Sequence, residues 1–253
     1  MTVGEEGSYM GRGECCLKAA FAAVLFPSVS IGTISAGLES EVNSRYVWRG
    51  LVQDENPVIQ PSAWGSLGNL TLEVWSSWPT RRASRLPAPT ELDFTLEYQL
   101  VAAGFEVVPE AAVWWYPTET ETPVTNELSV RLSRGLGPVS VSTGHAVDIG
   151  AFPGAYFGDA GLSWERELFR GLSAEASVSA GWGSPAFNRA YAGPGRWALN
   201  LVETEASVTW QILPFLYLRP HLGAAALVDA GLRAVVERPA GFVAGLAAGC
   251  GLQ

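Results

Sequence analysis

The chain has 253 residues, of which 48% are hydrophobic and 16% charged, with 28 Gly, 10 Trp and a formal net charge of -9. So apolar and aromatic a chain is not disordered, and its length suits one large domain or two small ones. An acidic chain with no basic run lacks the cations that neutralise phosphates, which excludes a nucleic-acid partner.

A mean hydropathy of +0.16 points to a membrane, yet the only stretch resembling a spanning helix is N-terminal and short. Leu17 to Phe26 is apolar apart from Lys18, Pro27 interrupts it, and small residues continue to Ala36. A spanning helix needs about 20 apolar residues. Arg12 and Lys18 before and within a short apolar core, then a small-residue exit at Ser28-Val29-Ser30 or Ile34-Ser35-Ala36, describe a cleaved secretory signal peptide over residues 1–30. Met10 is an alternative start, and residues 31–253 are left as one domain. Cys15 and Cys16 leave with the leader, so Cys250 remains alone, forming neither an intramolecular disulfide nor a metal cluster. Beyond residue 30 the chain holds 22 acidic residues against 14 basic ones, all Arg, a net of -8.

From Gly37 onward the dominant signal is alternation of period two, the mark of strands with one apolar and one polar face. Between Glu91 and Leu100 every even position is apolar and every odd one polar or charged. The runs predict about twelve strands, near 36–50, 57–66, 69–79, 90–102, 104–116, 124–135, 138–149, 155–168, 171–183, 198–212, 215–228 and 239–252. Short turns at Leu67-Gly68, Ala103-Gly104, Gly135-Leu136-Gly137 and Phe169-Arg170 interleave with longer loops at 51–56, 80–89, 117–123, 150–154, 184–197 and 229–238. That rhythm, with strands long enough to cross a bilayer when tilted, predicts an all-β, transmembrane, antiparallel up-and-down β-barrel in the outer membrane.

The aromatics decide between this barrel and a soluble sandwich. Tyr46, Trp48, Trp78, Trp114, Trp115, Tyr116, Tyr156, Trp182 and Trp197 fall near the strand ends that lead into long loops, and Trp64, Trp164, Trp210 and Phe215 near the opposite ends. Two such belts match interfacial Trp and Tyr; Trp75 has the parity of the polar face and fits neither. Arg on a lipid face costs about 2–4 kcal/mol at mid-membrane, so the polar face turns inward. The expected lumen lining is Glu41, Arg45, Arg49, Glu73, Glu91, Asp93, Glu97, Glu110, Glu127, Arg131, Glu203, Glu205 and Arg219, joined by Asn43, Glu106, Asp148, Asp159, Glu165, Glu167, Glu175 and His221.

Ser44-Arg45-Tyr46-Val47-Trp48-Arg49-Gly50, then Gln53-Asp54 and Pro57-Val58-Ile59-Gln60, resembles the first hairpin of the TorF family of porins, also called the Gcw_chp family. The motif there is Ser-x-Tyr-x-x-Arg-Gly, a short polar loop and Pro-x-x-Gln. The resemblance covers about 25 residues and implies a Gram-negative outer-membrane porin, without catalytic or ligand residues to carry over. The chain departs from the family at Pro61-Ser62-Ala63-Trp64, where Gly-Gly and an acidic residue are usual, and ends in Gly251-Leu252-Gln253 instead of the terminal aromatic of bacterial barrels.

An acidic lumen favours cations, because carboxylates in a narrow low-dielectric channel focus the field. Small polar solutes, cationic or neutral, are the expected cargo. A barrel of this size is also small enough for Glu and Arg to cross-link and plug it, leaving a structural or adhesion barrel. Arg81, Arg82 and Arg85 cluster in one outer loop, where guanidinium forks suit lipopolysaccharide phosphates and equally a solvated charge cluster. Asp54, Glu55, Glu119 and Glu121 lack the spacing of a calcium loop, and neither metal nor cofactor is expected. A lipid hydrolase would need a base, for which only His145 and His221 are available, and no Gly-x-Ser-x-Gly elbow is present. A lone strand His is more often structural, so an enzyme is not expected.

Overall fold

The computed structural model describes residues 33–81, 88–119 and 121–252; the expected signal peptide and Arg82 and Arg85 lie outside them. The barrel is built from β1 (Ile34–Asn43), β4 (Val58–Leu67), β5 (Leu70–Pro79), β6 (Glu91–Tyr98) continued by β7 (Leu100–Ala102), and β8 (Phe105–Trp115). β9 (Thr125–Leu136), β10 (Val139–Asp148), β11 (Tyr156–Phe169), β12 (Leu172–Gly183), β13 (Ala198–Leu213), β14 (Leu216–Leu227) and β15 (Ala240–Leu252) complete it. Neighbours in sequence pair antiparallel, and β1 pairs with β15 from Ala36↔Leu252 to Asn43↔Gly245. With β6 and β7 as two parts of one stave, the 13-stranded sheet closes as a barrel of twelve. Closure satisfies every edge, which an open sheet in lipid cannot do. Among the described residues no helix is long and apolar enough to cross a membrane.

Burial tracks the alternation. In β1 the odd positions Gly37, Glu39, Glu41 and Asn43 are buried inside the barrel, while Leu38 and Val42 are exposed outside. Leu72, Phe94, Leu96, Leu128, Leu162, Val178, Leu222, Phe242 and Leu246 continue this apolar outer surface around the barrel. Polar side chains fill the inside, the reverse of a soluble protein.

The two rims differ. At one, five connections are two-residue turns, between Leu67 and Leu70, Ala102 and Phe105, Leu136 and Val139, Phe169 and Leu172, and Leu213 and Leu216. Ala103 and Gly104 take φ of 53° and 79°, the left-handed pair that matches the twist of a tight hairpin. All long connections leave from the other rim. They carry two short helices, α1 (Pro185–Tyr191), capped by the Ser184 hydroxyl accepting from the Phe187 N–H, and α2 (Ala230–Arg233), capped by Asp229. Donation from the Leu232 N–H, with Arg196 and the Gly231 N–H, holds the Asp229 carboxyl below its ordinary value against partial desolvation. This cap therefore keeps its strength above the ordinary carboxylate range and loses it only as pH falls through the lowered value.

One predicted strand is corrected. The run 36–50 ends as barrel wall at Asn43, where Ser44 donates its N–H to the Ala244 carbonyl and accepts from the Ala244 N–H through its hydroxyl. Past Ser44 the chain forms a separate hairpin, β2 (Tyr46–Trp48) and β3 (Leu51–Asp54), turning on Arg49 (φ 47°) and Gly50 (φ 77°). A left-handed non-glycine residue costs about 1–2 kcal/mol, offset here by burial of Tyr46, Val47 and Leu51 inside the long-loop mouth. Alternation alone cannot distinguish strand continuing along the wall from strand folded into the bore.

The belts are corrected as well, Tyr46 and Trp48 because they belong to the folded-in hairpin, and Trp114 and Trp64 because they share the inward parity of Glu110 on β8 and Gln60 on β4. Tyr46, Trp48 and Trp114 turn inward at the long-loop rim, and Trp64 lies inside over Gly37. Trp75, the misfit, packs against Tyr46 with ring centroids 5.6 Å apart, inside. Trp115, Trp197, Trp210 and Phe215 of the predicted belts remain exposed near the rims, and Phe169 is exposed beside them.

Candidate functional site

The interior has three parts. The first spans the closing seam, where β15 lies between β1 and β14 and register sets three rungs: Asn43–Gly245–His221, Glu41–Ala247–Arg219 and Glu39–Gly249–Tyr217. The middle residue of each rung is small, so the outer two meet above it. The Asn43 Oδ1 lies 2.8 Å from His221 Nε2, and one Arg219 nitrogen donates to Glu39 at 2.9 Å and to Glu41 at 3.1 Å. Tyr217 donates a short hydrogen bond to Glu39. Asn43 extends the network by donating to Gln60 at 2.8 Å, and Gln60 to Ser77 at 3.4 Å.

A Cβ at Gly245 would collide with both Asn43 and His221. Gly245→Val is therefore expected to lose about 1–3 kcal/mol, the usual cost of overpacking, measured by denaturant unfolding in detergent. Gly65→Val, with nothing within 4 Å of its added carbon, is the control expected to be neutral.

The second part is a chamber of about 190 Å³ on the opposite wall. Asn69, Gln99 and Glu106 line it toward the short-turn rim, Asp93, Glu97, Glu110, Arg131, Asp159 and Glu203 along its walls, and Arg49, Glu127 and Trp114 toward the long-loop mouth. Gln99 donates to Glu106 at 2.7 Å, and Ser179 to Glu203 at 3.2 Å. A smaller cavity, about 40 Å³, lies under Val47 between Glu203, Glu205 and His221.

The third part is an apolar cap over the mouth. Leu51 of the hairpin, Phe157 and Leu201 of the wall, Phe187 and Ala192 of the α1 loop and Leu232 of α2 form one buried cluster, with Trp48, Phe152 and Tyr191 against it. Asp148 anchors it from below, accepting from Thr125 Oγ1 at 2.6 Å, the Gly150 and Phe152 N–H groups, and Tyr191. Arg196–Asp229 and Arg238–Glu55 tie the loops to one another.

Arg49 joins cap and chamber. Its two terminal nitrogens donate to Glu127 Oε1 and Oε2 at 2.7 and 2.9 Å, a bidentate fork. Its guanidinium carbon sits 4.6 Å from the Trp48 ring centroid, 4.7 Å from Phe157, 5.6 Å from Trp114 and 5.7 Å from Phe187.

Glu41, Glu73, Glu91, Glu97 and Glu127 are buried in the bore, while Glu165 and Glu167 share the inward parity of β11 but are exposed at the short-turn rim. The Nε of Arg45 is buried at the bend between β1 and the hairpin, and Arg81 is exposed at the start of its loop. Sequence reasoning missed Glu39 and Tyr217, although each lies two residues from a residue it had assigned inward, Glu41 and Arg219. It also missed the cap, whose members come from five separate segments. His145 faces outward, its ring stacked on Tyr156 with one nitrogen 2.8 Å from the Tyr156 hydroxyl and the other 3.3 Å from Thr143 Oγ1.

These features define a class: a closed twelve-stranded β-barrel with an apolar exterior and a polar, carboxylate-rich interior. Among solved structures the chain is similar to the NanC porin (TM-score 0.55, 10% identity, 84% of this chain and 98% of that one). It is also similar to the COG4313 outer membrane channel from Pseudomonas putida F1 (0.51, 12%, 90% and 100%) and to the KdgM porin (0.50, 7%, 84% and 97%). At such identities the likeness is one of fold. No family profile and no curated protein sequence matches the chain.

Proposed function

We propose that this protein is a porin-like channel of the outer membrane, a conduit rather than an enzyme, that passes small cationic or neutral polar solutes through its acidic chamber. The carrying observation is the chamber itself, walled by Asp93, Glu97, Glu110, Asp159 and Glu203 inside a barrel whose exterior is apolar. The apolar exterior supports placement in lipid, with the long loops outward and the tight turns toward the periplasm, after export on the cleaved leader. Lipid and, through the Arg81, Arg82 and Arg85 loop, lipopolysaccharide are then its surroundings. The resemblance of residues 44–60 to the TorF family agrees with this reading, and that motif forms the folded-in hairpin and the start of β4. The engagement of His145 with Tyr156 and Thr143 on the outer face supports a structural role for it.

In planar bilayers the protein is expected to conduct with K⁺ favoured over Cl⁻. Glu97→Gln with Glu110→Gln should move the permeability ratio toward unity, since rings of carboxylates set cation preference. Anion selectivity of the unaltered protein would refute the reading. The hairpin seated in the mouth favours a second reading, a barrel kept shut as a structural or adhesion element.

A further inference from the structure

The surroundings of Arg49 are those of a bound ligand. Glu127 of β9, Trp114 of β8 and Phe157 of β11 belong to the barrel wall and are each buried. Together they present a carboxylate fork and two ring faces to one planar cation. Arg49 reaches them from the separate β2–β3 sheet, across 78 residues of sequence, through a turn held in left-handed conformation. A guanidinium is matched twice, by bidentate hydrogen bonds and by ring faces, where an ammonium is matched only as a point charge. The chamber continues away from Glu127 along Glu110, Asp159, Asp93 and Glu97, four carboxylates against the single guanidinium of Arg131, a balance that suits a positively charged tail.

We propose that Glu127, Trp114 and Phe157 form a binding site for an alkylguanidinium solute, and that Arg49 is its built-in occupant, displaced with its hairpin when solute enters. This deepens the porin reading by naming a solute class. The site is walled by strands and so stays in place when the hairpin leaves, while Trp48 departs with Arg49. The tethered guanidinium competes with free solute for the same fork, so it weakens apparent affinity by the fraction of time the site is vacant.

Calorimetric titration of the full barrel, folded in detergent, with agmatine tests this. Arg49→Ala is expected to bind at least about tenfold more tightly than the unaltered protein, the factor for a site vacant less than about a tenth of the time. Adding Glu127→Gln should abolish that binding, and 1,4-diaminobutane, which lacks the planar group, should bind Arg49→Ala more weakly than agmatine. Equal affinity of Arg49→Ala and the unaltered protein would overturn the proposal, as would equal binding of the two amines. Should Arg49→Ala fail to fold, Arg49→Lys keeps the charge and loses the fork; it should bind agmatine more tightly than the unaltered protein, and equality again overturns the proposal. Binding without conductance leaves the site standing and removes the porin reading. Conductance without binding does the reverse.

Discussion

Replacing Arg219 with methionine is expected to destabilise the folded barrel by about 3–5 kcal/mol, the cost of leaving buried charge uncompensated. The side chains of Glu39 and Glu41 are 3% and 4% exposed and share Arg219, itself 12% exposed, so neither carboxylate can turn to bulk water when the cation is removed. An exposed pair would contribute only about 0–1 kcal/mol, and burial is what decides the larger figure. Denaturant unfolding in detergent, monitored by heat-modifiable gel mobility, gives the measurement. Restoring neutrality with Glu39→Gln and Glu41→Gln beside Arg219→Met should recover most of the loss, because removing every charge also removes the desolvation cost. A loss below about 1 kcal/mol for Arg219→Met would place the network in water.

Exchanging residues 45–56 for a short Gly-Asn-Gly turn should raise single-channel conductance several-fold. The wall itself survives, since β1 and β4 pair with each other up to Asn43↔Val58 and Ser44 remains tied to Ala244. The exchange removes Leu51 from the apolar cap, Tyr46 from beside Trp75 and Arg49 from Glu127. Apolar constrictions of this kind restrict ion flow by excluding water. If conductance rises as expected, the hairpin is the constriction. If conductance does not change, the constriction lies instead at the Glu39–Arg219–Glu41 cluster. Stability should fall as well, by about 1.5–3 kcal/mol for each large apolar side chain removed from its packing.

The wall was legible because its physics is local. A strand with lipid on one side and polar side chains on the other writes its register into every second residue, and tight turns need Gly68, Gly104, Gly137 and Gly171 at left-handed positions. Interior placement of Glu41, Glu73, Glu97 and Glu127 came from parity alone. The hairpin did not, because Arg45 and Arg49 at odd positions with Tyr46 and Trp48 at even ones continue the parity of β1, whether the segment extends β1 or folds across the bore. The determinants of that fold are distant: Glu127 and Phe157 to receive Arg49, Trp114 and Phe187 to receive the Trp48 ring, and Trp75 to receive Tyr46. Only the pair Arg49-Gly50 carried a local turn signal. The rungs over β15 were hidden likewise, since the small residues of the last strand gain meaning only when set in register against Tyr217, Arg219 and His221.

The even stave count and the pairing of Ala36 with Leu252 bring the first and last strands together at the tight-turn rim. A peptide fused before β1 or after β15 therefore emerges beside the other, a full barrel height away from the hairpin, α1 and α2. Reporters joined to either position should sample the same compartment, while an epitope inserted in the α1 loop should sample the opposite one. The parity of the barrel thus separates the handling of the chain's ends from the traffic at its mouth.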